Sequence, residues 1–391
     1  MYFFNPDNRN NVSGSRGGFY RVSGPELSVV EQNAARITDA MSKVLGVLSV
    51  LAIVLTKPAQ IIASPIEVYG AWHCGSDLCS WGTIRDMVEF DRKNHWLIDR
   101  GDGYPSVNLV ILSFVNPFEL LNLTNDRHTV DGIPIGMNAE IVSYFTRRKI
   151  RVMISIGGLT YSKDWDRALA TNPQQLGINA ARAAQLLKVG TEIDYENDRS
   201  PNLKGLQEFI TAYRSVLPYD AAATNPAARL TIDLALDDGY LMPLTRYASA
   251  NWLTTRHLVL DYANAMVPFG QLKAFAFEKG WEEHVRGKPP ILPVAPAKFT
   301  GSLYMVTSKG VSPECNDFSH SLESATGSFV QTVQPRGVGK TEGMLGYMFW
   351  AAECSGSKSV CTTPPSTCEG GVGMGAKFYN IPLPMPPLRQ D

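Results

Sequence analysis

The stretch VGTEIDYEND, residues 189–198, sets Glu192, Asp194 and Glu196 on alternate positions, separated by Ile193 and Tyr195. An extended strand points alternate side chains to one face, so this spacing predicts three carboxylates crowded side by side. The preceding LLKVG argues that this face is buried. Two carboxylates about 6 Å apart repel by roughly 3 kcal/mol at an effective dielectric near 20, or about two pKa units. At least one acid should then keep its proton near neutral pH. A protonated carboxyl beside a carboxylate is the arrangement of a general acid. The bland alternative is an acidic strand that faces solvent or holds a cation.

Other chemistries find less support. The six histidines (73, 95, 128, 257, 284 and 320) are scattered with no HExxH, so no dedicated metal site is expected. The 36 basic and 37 acidic residues nearly cancel. No basic block with interleaved aromatics points to nucleic acid.

An acidic strand needs a scaffold that carries its end to a cleft. From about Ile66, short apolar runs alternate with helix-like stretches. The runs cover 66–72, 107–117, 150–158, 186–196, 229–236, 257–266, 289–296 and 343–353, and the helix-like stretches include Asn138–Arg148, Gln174–Gln185 and Leu203–Val216. Eight buried strands with intervening helices predict an α/β (β/α)8 TIM barrel, whose active groups lie at the C-terminal strand ends. An open doubly wound sheet is the structural alternative. Its nucleotide-binding version is weakened because the first βα turn lacks GxGxxG.

Residues 1–64 have a different texture. A polar arm rich in Asn, Gly, Ser and Arg is followed by a helical pattern from Pro25 that should stop before Pro58. Val30, Ala34, Ile37, Met41, Val44, Leu48, Leu51 and Leu55 form a stripe of roughly four heptads. Residues 25–56 therefore suggest docking to a protein partner or self-association. A signal or membrane anchor, and simple packing on the domain that follows, remain open. The expected division is an arm over 1–64 and a barrel domain over 65–391. Six cysteines in turn-rich segments, Cys74, Cys79, Cys315, Cys354, Cys361 and Cys368, fit disulfides and an oxidising compartment, against incidental reduced thiols.

Several runs together resemble the glycoside hydrolase family 18 chitinases. The fourth run resembles that family's DGxDxDxE, with Val189 at the opening Asp and Glu192 at the second. The third ends in Ser155-Ile156-Gly157-Gly158, similar to SxGG, with Tyr161 following. The sixth, Leu260-Asp261-Tyr262-Ala263, keeps only the Tyr of MxYD. The eighth ends in GYMFW with Trp350. The resemblance implies hydrolysis of β-1,4 bonds next to N-acetylglucosamine, assisted by the substrate's acetamide and needing no cofactor. It implies Glu196 as acid and base, Asp194 on the acetamide N–H, Glu192 behind Asp194, Tyr262 on the acetamide oxygen and Trp350 as the apolar floor. Tyr69 and Trp72 would line outer sugar subsites.

The glycan would be chitin or another N-acetylglucosamine polymer, met outside the cell, with the enzyme secreted and, where the N-terminal helix docks, held in a larger assembly. The stretch Ala297–Glu342 leaves little room for an insertion domain, which predicts an open groove and endo cleavage. Glu192 and Ala263 depart from the family pattern. They favour, as alternatives, a lectin-like barrel without turnover, while the N-terminal stripe favours a structural subunit.

Overall fold

The computed structural model describes residues 67–75, 79–99, 104–105, 107–235, 239–254, 259–266, 274–304, 306–307, 310–311 and 344–350. The N-terminal arm and its apolar stripe, Cys315, Cys354, Cys361 and Cys368, and most of the stretch read for an insertion lie outside these residues. Eight strands close into a parallel barrel: β1 (Val68–His73), β2 (Leu109–Val115), β3 (Arg151–Gly157), β4 (Gly190–Asp194), β5 (Leu230–Leu234), β6 (Ala263–Ala265), β7 (Phe299–Tyr304) and β8 (Gly346–Trp350). Each strand pairs with its sequence neighbours, and β1 pairs with β8. This is the (β/α)8 TIM barrel that the alternation of runs predicts.

The seventh run needs a correction. PPILPVAP is not the barrel strand; it forms a turn closed by a Lys288–Ile291 bridge and a short 3-10 turn at Pro296–Lys298. Four prolines in eight residues remove the N–H donors that a central strand requires. The strand is the next segment, FTGSLY, which offers those donors.

Helices cover the barrel: α1 (Met87–Ile98), α2 (Pro117–Asn122), α3 (Ala139–Thr146), α4 (Ser162–Thr171), α5 (Pro173–Leu187), α6 (Leu203–Val216), α7 (Met242–Asn251) and α8 (Ala274–Arg286). Asp86, Asn116, Asn138, Asn172 and Asn202 cap the first turns of α1, α2, α3, α5 and α6 by accepting backbone N–H bonds. Each such cap satisfies donors that a helix start leaves unpaired. Pro117 and Pro173 open two of these helices, where the missing proline N–H is not needed.

Strand alternation divides the core. Residues such as Tyr69, Val110, Ile154, Ile193 and Ile232 pack outward beneath the helices. Val68, Trp72, Leu109, Ile111, Met153, Tyr262 and Met348 pack together inside the barrel. A disulfide joins Cys74 to Cys79 just past β1. Among the described residues, no helix is long and apolar enough to cross a membrane.

Candidate active site

β4 carries the acids where the alternation places them. Glu192 and Asp194 point into the barrel from the strand, and Glu196 follows two residues past its end. All three are buried. The backbone beneath them is fixed by the loop after β3. Gly158 N–H donates to the Asp194 carbonyl at 3.0 Å, and Trp165 Nε1–H donates to the same oxygen at 3.1 Å. Gly157, at φ +123°, passes so close that a Cβ there would sit 1.8 Å from that carbonyl. The SxGG motif thus acts here as a backbone brace for Asp194.

Glu196 is held from both sides. Tyr195 donates its hydroxyl to Asp166 on α4, and Asn197 Nδ2 donates to both oxygens of that carboxylate at 2.9 Å. Ser162 Oγ donates to the Glu196 carbonyl at 3.0 Å. The Glu196 side chain accepts from the Tyr240 hydroxyl at 2.5 Å and from the Leu159 N–H. Burial raises the Glu196 pKa, and these two donors partly counter it.

Glu192 lies deeper. Its Oε1 accepts from Trp72 Nε1–H at 2.9 Å, and its Oε2 from Asn264 Nδ2 at 2.6 Å. Asn264 is oriented in turn by Thr300 Oγ1, which donates to its Oδ1 at 2.6 Å. Burial raises the Glu192 pKa against the pull of these donors. A fourth acid, Asp233 on β5, completes the group. Burial and then the neighbouring carboxylates push Asp194 and Asp233 well above the usual carboxylate range. Asp194 Oδ1 has no hydrogen-bond partner among the described residues. It is a buried acceptor on the last residue of β4, able to take a ligand's N–H.

Aromatic rings surround the acids. Trp350 at the end of β8 stacks on Phe114 with centroids 5.8 Å apart and meets Trp72 edge-on at 6.2 Å. Ser155 stands beside Glu192 by strand register. Glu192, Asp194, Glu196, Ser155, Trp72 and Trp350 therefore converge at the C-terminal end of the barrel, with Gly157 and Gly158 beneath them.

Three expected residues do not join that cluster. Tyr262 precedes the first residue of β6, at the opposite end of the strand from the mouth. Its hydroxyl meets Met153 Sδ at 4.0 Å, and the Arg229 guanidinium lies 5.7 Å from its ring centre. The MxYD likeness put the tyrosine on the correct strand but one layer too deep. Tyr69 is on the other face of β1, buried under the helices with its ring 4.8 Å from Phe349, so it lines no sugar subsite. Strand parity explains this, since Trp72 and Tyr69 differ by an odd number of residues. Tyr161 sits half-buried on the turn before α4. Burial and the charges of Glu119 and Asp164 raise its pKa, so those acids are its titratable neighbours.

The sequence reading missed Tyr240, Asp233 and Asn264. Asp233 carried a signal: in LTIDL it is an acid at the interior parity of an apolar strand, the same pattern that exposed β4. Asn264 has that parity on β6. Tyr240 follows β5 in a connecting segment and had no local signal.

No family model matches the chain, and no curated protein matches it. Solved structures similar to it include a GH18 chitinase from Pseudoalteromonas aurantia, at 17% identity and a TM-score of 0.44, covering 65% of this chain and 89% of that one. A chitinase from Rhizomucor miehei aligns at 13% identity and 0.45, covering 77% and 99%. A chitinase from Bacillus thuringiensis aligns at 10% and 0.41, covering 80% and 70%. Likenesses this distant carry no residue roles to this chain.

Proposed function

We propose that this protein is a chitinase-like glycoside hydrolase that cleaves β-1,4 bonds next to N-acetylglucosamine by substrate-assisted, retaining catalysis. The observation that carries the reading is the Asp194–Glu196 pair. Both acids are buried at the barrel mouth with raised pKa values, and Asp194 Oδ1 has no partner among the described residues. Glu196 donates its proton to the glycosidic oxygen as the bond from that oxygen to the anomeric carbon breaks. The substrate's acetamide carbonyl oxygen bonds to the same carbon and gives an oxazolinium ion. Asp194 accepts the acetamide N–H and stabilises the positive charge. Water then attacks the anomeric carbon as the bond from the acetamide oxygen to that carbon breaks, and it yields a proton to Glu196, which regenerates the acetamide and the acid. Trp350, backed by Phe114 and Trp72, supplies an apolar surface for the sugar face.

Tyr262 has no part in this scheme, because its hydroxyl lies in the layer beneath. The Cys74–Cys79 bridge supports an extracellular setting. Chitooligosaccharides with a chromogenic leaving group test the reading. Wild type should turn them over with retention at the anomeric carbon, and Glu196→Gln should lose about 100-fold to 10,000-fold in kcat. Equal turnover by the variant removes Glu196 from the mechanism.

A further inference from the structure

Asn264 lies on β6 inside the barrel, paired by register with Asp233 on β5 and Thr300 on β7. Its amide makes one bond at each end. Nδ2 donates to Glu192 Oε2 at 2.6 Å, and Oδ1 accepts from Thr300 Oγ1 at 2.6 Å. At the other oxygen of the carboxyl, Trp72 Nε1–H donates to Oε1 at 2.9 Å. Side chains from β1, β4, β6 and β7 thus meet in one hydrogen-bonded row, and all four are buried.

The row has a direction. An indole N–H can only donate, so Oε1 accepts. The Thr300 hydroxyl gives its proton to Asn264 Oδ1, which leaves the Nδ2 end of the amide facing Oε2. Both Glu192 oxygens are therefore acceptors, the pattern of an ionised carboxylate. The opposite amide orientation would set Oδ1 against Oε2, a pairing that requires a proton on Glu192. Among the described residues, the titratable groups facing Glu192 are Asp194 on its own strand, Asp233 on β5 and Tyr262 just before β6. β3 presents Ser155 by register. Burial disfavours a charge on Glu192, and Trp72 and Asn264 are donors that oppose it.

We propose that Asn264 is a positioning residue of this site: oriented by Thr300, it holds Glu192 as a fixed anion beneath the acids that meet the substrate. The proton that crowding of the acids demands then sits on a carboxyl other than Glu192. The standing charge of Glu192 favours the oxazolinium ion. Asp194 Oδ1, without a partner among the described residues, stays available to the acetamide N–H. The role rests on the function proposed above, but the spectroscopic part of its test does not.

That part is carboxyl 13C spectroscopy of the full chain labelled at glutamate, with Glu192 assigned by Glu192→Gln. At pH 6 Glu192 should be ionised in wild type, and in Asn264→Leu its titration should move to higher pH. A protonated Glu192 in wild type at pH 6 overturns the proposal, as does an unchanged Glu192 titration in Asn264→Leu, whether or not the protein hydrolyses chitin. On chitooligosaccharides, Asn264→Leu should lower kcat by more than about tenfold with little change in KM. Thr300→Val keeps the shape, removes the hydroxyl and should lose part of that activity, and Thr300→Ser should recover it. Because Thr300 acts through Asn264, the double variant Asn264→Leu/Thr300→Val should be no slower than Asn264→Leu alone. Losses that multiply overturn the proposal, as does a Ser variant no better than the Val variant. Should Asn264→Leu not fold, the wild-type spectrum and the two Thr300 variants decide. Glu192 titrates higher in Thr300→Val and returns to its wild-type position in Thr300→Ser if the proposal holds; it titrates alike in all three if it fails. Absent turnover in wild type with the expected spectrum counts against the hydrolase function alone.

Discussion

The Tyr240 hydroxyl donates to Glu196 Oε2 at 2.5 Å, joining a residue beyond β5 to the carboxyl that extends past β4. The bond favours the ionised form of Glu196, while burial favours the protonated form. In the proposed mechanism proton donation requires the protonated form, so the Tyr240 bond would set how far up in pH the acid survives.

Tyr240→Phe removes one donor from the carboxylate. The Glu196 pKa should rise further, and the basic limb of the kcat/KM profile should move to higher pH. The acidic limb should move less. A profile of wild-type shape, or one displaced toward acid, would refute this role for the hydroxyl.

Gly157→Ala should destabilise the fold by about 3 kcal/mol or more, through a Cβ clash added to unfavourable φ. The added methyl meets the Asp194 carbonyl at 1.8 Å, and backbone cannot yield as a flexible side chain would. Gly82 offers a control, since a Cβ there meets nothing within 4 Å. Urea denaturation of both variants measures the difference, and comparable midpoints would sink the argument.

The buried carboxyls make stability depend on pH in a stated direction. Asp194 is raised well above its ordinary value, so its contribution is complete below the unfolded pKa of about 4 and is lost as pH climbs through the folded pKa. Asp194→Asn removes that loss. The variant should melt higher than wild type at pH 8, by several degrees, with the gap closing toward pH 4. Thermal melts across that range check it; a constant gap would mean that titration of Asp194 is not the cause.

Tyr262→Phe separates the sequence expectation from the structure. A hydroxyl that held the acetamide would cost at least tenfold in kcat when removed. The hydroxyl seen here touches Met153 Sδ within the core. The variant should keep kcat within about threefold, and steady-state kinetics on a chitooligosaccharide read the answer.

The sequence by itself determined much of the local pattern. Period-two alternation is a property of the strand alone, so Glu192, Asp194 and Glu196 could be put on one face from their spacing. Apolar runs broken by helical stretches likewise announced the barrel, and Leu203–Val216 was bounded as the helix α6 is observed. The seventh strand lies one segment past the apolar run PPILPVAP, because the prolines there lack the N–H donors a barrel strand needs.

Only the tertiary structure decided the depth of each side chain and its partner across the barrel. Those depend on inter-strand register and on where loops return. Tyr262 has the right strand and parity, yet register sets it below the mouth. Trp72 and Asn264 reach Glu192 from positions 120 and 72 residues away. Tyr240 reaches Glu196 from a segment with no period to read. The acids were legible because their chemistry is written in adjacent residues. Their proton partners were not, because closure of the barrel brings those residues together.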